Sequence, residues 1–181
     1  MTGAPDGYLA YALRRLKRHR TLVEDALAQV SDADFFSTLD PESNSIAIVV
    51  KHLAGNMRSR FTDFLVSDGE KPDRARDGEF VTAGESRGDV MRLWESAWAA
   101  ALPALEALTA EDLDRTVTIR GQPHRVYGAV NRHLMHFAYH AGQIVFLAKH
   151  FAGPAWKTLS VPRGGSEDFD AAMKRRAEER R

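Results

Sequence analysis

Apolar residues recur at three- and four-residue intervals over most of the chain, and glycine, proline or runs of charge mark the places where the rhythm breaks. Tyr8, Leu9, Ala12, Leu13, Leu16, Val23, Ala26, Leu27 and Val30 keep the rhythm from residue 7 to residue 30. They predict an amphipathic helix whose other face, with Arg14, Arg15, Lys17, Arg18 and Arg20, is solvated. Ser43 or Asn44 can cap a second helix that runs through IAIVVKHLAGNMRSRFTDFLV and stops at Gly69. From residue 68 to 85 the period is lost in DGEKPDRARDGEFVTAGE, which predicts a long charged loop of the kind that often carries function. A third helix starts near Ser86 and carries Val90, Leu93, Trp94, Ala97, Trp98, Ala101, Leu105 and Leu108, with Pro103 expected to bend it. TVTIRGQPHRVY alternates β-branched and polar residues about an Arg-Gly-Gln-Pro turn and predicts a short hairpin. A fourth helix over 126–151 meets its stop signal at Gly153 and Pro154.

These elements make the chain all-α in class: a four-helix bundle whose long second connection allows a crossover, with a short β-hairpin before the last bundle helix. The bundle domain is assigned to residues 1–166. Residues 167–181 form a charged tail, either a solvated helix or disordered.

Composition narrows the function without choosing it. The 25 basic and 25 acidic side chains cancel, so net charge gives no reason to expect nucleic acid or an anionic membrane as a partner. No stretch approaches the roughly 18 apolar residues of a membrane span, and the first residues lack the pattern of a secretory signal. A cytoplasmic location is expected. With no cysteine, a thiolate nucleophile is excluded and any metal must rely on histidine, carboxylate or water. No phosphate loop, nucleophile elbow or nucleic-acid-binding module occurs.

What chemistry there is gathers in HLMHFAYHAGQIVFLAKH, which holds four of the seven histidines. His136 and His140, four residues apart, lie about 40° from each other on one helix face and can share an ion, although such a pair also arises by chance. His52 lies on an otherwise apolar helix, where it is either a core histidine bonded to a carbonyl or a third ligand. Three neutral nitrogens with open positions would suit catalysis better than structure.

The stretches SIAIVVKHLAGNMRSRFTDFLVSDGEKPDRARDGEF, HFAYHAGQIVFLAK and WKTLSVPRG resemble a subgroup of the DinB-like proteins whose domain has no assigned function. The resemblance runs from about residue 8 to 166. It implies a DinB-like four-helix bundle, commonly a homodimer, with one divalent metal ion, zinc or nickel, held by His52, His136 and His140. It also implies a metal-dependent hydrolase or an enzyme that transfers a low-molecular-weight thiol onto a small-molecule substrate. A non-catalytic bundle with a structural metal or a small-molecule-binding role is the alternative.

Around that triad, Asn56 and Gln143 are placed to orient a ligand or to bond between helices. His133 is expected beside the ligands or on the surface, and Asp63, close to three turns after His52, either joins the site or pairs with Arg60. No catalytic residue stands out, with His133 and Asp63 the available bases. Tyr139 is expected to pack on another helix. Arg58, Arg60, Lys71, Arg74 and Arg76 read either as an anion-binding mouth or, more simply, as a solvated loop held by ion pairs to the interleaved acids.

Overall fold

Serine hydroxyls open three of the helices in the computed structural model of the chain, which describes residues 7–179. Six α-helices and one two-stranded antiparallel sheet are formed. α1 (Tyr8–Leu27) buries Ala12, Leu16, Val23, Ala26 and Leu27, so the predicted stripe faces the core. The helix stops three residues short of the expected end. Ser31 then caps a five-residue helix, α2 (Asp32–Phe36), by accepting from the Asp34 amide, an element too short to show in periodicity.

α3 (Ile46–Phe61) starts where Ser45 accepts from the Ile48 amide, one residue beyond the expected caps. Thirteen of its sixteen residues are buried, which makes it the central helix. Its early end corrects the expectation that it runs on to Gly69: Thr62 is extended and Asp63 has a φ of +49°, so the backbone turns away despite the apolar Phe64 and Leu65.

α4 (Arg87–Glu106) opens with a reciprocal capping box between Ser86 and Asp89 and continues helical through Pro103. β1 (Thr116–Ile119) and β2 (Gln122–Arg125) pair with Ile119 opposite Gln122, so the turn is only Arg120 and Gly121, with φ of +55° and +71°. Gln122 and Pro123 lie in the strand, not in the turn. α5 (Val126–Ala152) follows without a break and stops at Gly153, close to its expected bounds. In the tail, α6 (Ser166–Glu178) is a helix with no buried residue.

α1 packs on α5, and α3 packs on both α4 and α5. Trp94 and Trp98 of α4 meet Phe137 of α5 with ring centroids 5.8 Å and 5.5 Å apart. This aromatic cluster fixes α5 against α4, and the next histidine face along α5 turns toward α3. No helix among the described residues is long and apolar enough to cross a membrane.

Candidate metal centre

His52, in the middle of α3, is only 6% exposed. His136 and His140 project from successive turns of α5 toward it. Their ring centroids lie 5.1 Å and 4.9 Å from that of His52. One nitrogen from each of the three rings falls within 4.8 Å of the others. His52 Nε2 and His136 Nε2 are 3.2 Å apart, close to the roughly 3.3 Å that separates two nitrogens bound at 2.0–2.1 Å to a tetrahedral ion. His52, His136 and His140 are thus brought together across two helices in a group that could hold a metal ion.

Each tautomer bears on that fit. His52 Nδ1 lies 2.9 Å from Glu79 Oε2, and an ionised carboxylate can only accept. A proton therefore sits on Nδ1, and Nε2 is the nitrogen that faces His136. His140 Nδ1 lies 2.7 Å from Gln143 Oε1, which accepts its proton, and the Gln143 amide nitrogen donates to the Tyr139 hydroxyl at 3.3 Å. His140 Nε2 is then also a lone-pair donor. Burial lowers the pKa of His136 to about 4, helped by His140 and His52, and burial likewise lowers that of His140 against the opposing pull of Gln143. Both are neutral at pH 7, the state that a metal needs.

Glu79 is the functional residue that sequence reasoning missed. It comes from the charged 68–85 segment, which is no loose loop. Ser59 donates to the Gly69 carbonyl at 3.1 Å and accepts from the Lys71 amide at 2.9 Å, and a 3₁₀ turn over Arg76–Phe80 then lays Glu79 on α3. Arg74 clamps its carboxylate from the far side with two bonds of 2.7 Å and 2.8 Å. Burial raises the Glu79 pKa, yet the bonds from His52 and Arg74 outweigh it and hold the group below the usual carboxylate range. A buried acid paired to histidine, itself a ligand candidate, is the arrangement that sets the tautomer and basicity of metal-binding imidazoles.

Gly55 makes the approach feasible. A Cβ there would stand 2.1 Å from Glu79 Oε1, so no other residue leaves room for the carboxylate. The signal was present in the sequence as a lone glycine one turn after His52 in an otherwise bulky helix, a position that usually records close packing.

The other expected residues separate. Asn56 is buried at 9% exposure, one turn below His52, and faces the same cavity. Gln143 orients His140, as above. His133 is buried, not at the surface: it is 3% exposed, its ring packs 4.7 Å from Phe61, and neither ring nitrogen has a protein hydrogen-bond partner. Burial and the neighbouring His136 lower its pKa to about 3, which makes it a poor base near neutrality. Asp63 lies beyond the end of α3, exposed, and lines a separate cavity of about 520 Å³ with Arg58 and Lys71. It joins neither the triad nor Arg60. Tyr139 is 65% exposed and stacks edge-on to His140 rather than packing on another helix.

A smaller cavity, of about 180 Å³, opens directly beside the triad. It is lined by His52, Asn56, His133 and His136 together with five arginines, Arg60, Arg74, Arg76, Arg120 and Arg132.

A family described as "Protein of unknown function (DUF1572)" matches residues 4–165. The chain belongs to this family. Its members' description assigns no activity, and no curated protein matches the chain. A solved structure of a conserved protein from Enterococcus faecalis is similar in fold, with a TM-score of 0.60 at 15% identity, covering 81% of this chain and 98% of that one. At that identity the likeness extends to the fold alone. The three-histidine group in this DUF1572 chain is therefore read from its own geometry.

Proposed function

We propose that the chain is a DinB-like metal-binding protein, a metal-dependent enzyme that directs water or a low-molecular-weight thiol at an electrophilic small molecule. The observation that carries this reading is the convergence of the His52, His136 and His140 nitrogens within 4.8 Å, with His52 held by a buried carboxylate. The packing of α1 on α5 and of α3 on α4 and α5 supports the finer description of a four-helix bundle with a crossover. Zinc or nickel suits three neutral imidazoles. One divalent ion held there would supply Lewis acidity toward a substrate oxygen or sulfur.

The chain's own residues prepare that chemistry. Glu79 retains the proton on His52 Nδ1 and Gln143 that on His140 Nδ1, which leaves the Nε2 of each ring for a ligand. Phe80, whose ring lies 5.0 Å from that of His52, and the aromatic cluster behind α5 keep water from the back of the site. The side facing the 180 Å³ cavity is left for substrate. Since the chain has no cysteine, a thiol nucleophile would arrive as a cosubstrate.

The test is turnover by the metal-reconstituted protein in two assays, small thiols with a chromogenic aryl halide and simple nitrophenyl esters. Activity is expected in one of them, falling to background in His136→Ala. A metal-loaded protein inert in both would favour the structural role.

A further inference from the structure

Three of the five arginines facing the cavity make no ion pair among the described residues. Arg74 is engaged by Glu79 and Glu70, and Arg120 by Glu70 at 3.2 Å. Arg76 has only the face of the Phe80 ring, 5.3 Å from its guanidinium carbon, and Arg132 has no ion pair among the described residues. Arg60 is the most exposing case for the energetics: its residue is 5% exposed, and its buried Nη1 has no hydrogen-bond acceptor. Burial first, and then the charge of Arg132, lower its pKa to about 10 against the opposing pull of Glu70, which still leaves it cationic at pH 7. A guanidinium this deep is costly to keep with no acceptor bonded to it. His133, which also lines the cavity, adds no negative charge to it.

We propose that this cavity is an oxyanion pocket: it binds a carboxylate or phosphate group of the substrate through Arg60 and Arg132, and so presents the rest of the molecule to His52 and His136. The planar fork of arginine matches both oxyanions with paired, charge-assisted bonds. A volume of about 180 Å³ admits a small metabolite and not a polymer. The pocket differs from the mouth expected from sequence, because Arg58 pairs with Asp73 and, with Lys71, lines the other cavity. The anion site stands on the arginines alone; that it serves a substrate rests on the metal-centre reading above.

Calorimetric titration of the full chain separates the two. The probes are succinate and inorganic phosphate, with succinamide as the uncharged control. Succinate or phosphate is expected to bind and succinamide not to. Arg132→Gln, an exposed position that the fold does not need, is expected to weaken binding by about tenfold or more. Arg58→Gln removes the same charge from the other face and is expected to change it less than about twofold. Binding is also expected to persist in His140→Ala, since His140 is not in the cavity wall. Absence of binding by both anions, or equal loss in the two arginine variants, overturns the pocket. Binding that vanishes in His140→Ala while Arg132→Gln is unaffected would put the anion on the metal, overturning the pocket and sparing the metal centre. Anion binding to protein that takes up no metal would keep the pocket and remove the metal-centre reading.

Discussion

At the scale of single residues, Glu79 decides whether three nearby imidazoles are a ligand set or a cluster of core histidines. Glu79→Gln keeps the size of the side chain but removes the charge that faces His52 and Arg74. Loss of such a carboxylate partner weakens metal binding by about 10–100-fold, and a chelator-competition titration is expected to show it with the fold intact by circular dichroism. Gly55→Ala is expected to act in the same direction by displacing Glu79. His133 carries a separate prediction. It stays neutral in the fold down to about pH 3, whereas in the unfolded chain it protonates near its ordinary value of 6.5. Between those values the unfolded chain binds the extra proton, so stability is full above pH 6.5 and declines as pH falls. At pH 5 the loss from this residue is about 2 kcal/mol. Urea unfolding of metal-free His133→Leu is expected to show a correspondingly smaller drop between pH 7 and pH 5 than the parent; parallel curves would contradict the assignment.

At the scale of elements, the charged segment after α3 is held by a second device, Asp68. Its carboxylate accepts from the amides of Glu70, Arg120 and Gly121 at 2.7, 2.8 and 2.7 Å, and these bonds lower its pKa to about 2. Asp68→Ala is expected to cost about 1–2 kcal/mol, discounted for exposure, and to speed amide exchange at Arg120 and Gly121. This is also the scale at which the sequence was least legible. Long stripes such as Leu16–Val23–Leu27 or Trp94–Trp98–Ala101 report helices because each buries one face over several turns. The His136–His140 pair was legible for the same reason. The stretch from 62 to 80 has no period to read: Asp63 turns the backbone at a positive φ, and Glu79 arrives by hydrogen bonds from residues distant in sequence. Its charges looked solvated, whereas the contacts of Arg74 with Glu79 and Glu70 and the amide bonds to Asp68 show several of them to be structural.

At the scale of the whole molecule, the site joins α3, α5 and the 3₁₀ turn between them, so a metal held there would link its binding to folding. A metal bound only by the native state, at about 1,000-fold excess over its Kd, adds roughly 4 kcal/mol of stability. Thermal unfolding is therefore expected to rise with zinc or nickel in the parent and not in His52→Ala. The predominantly helical class was readable from pattern alone. The reaction was not readable, because ligand geometry specifies where a nucleophile is activated and not what it attacks. The account stands first on the metal, and elemental analysis of protein purified without a histidine tag measures that directly. One divalent zinc or nickel ion per chain is predicted, lost from both His52→Ala and His140→Ala. Metal-free parent protein after incubation with either ion, or full retention in both variants, would contradict it.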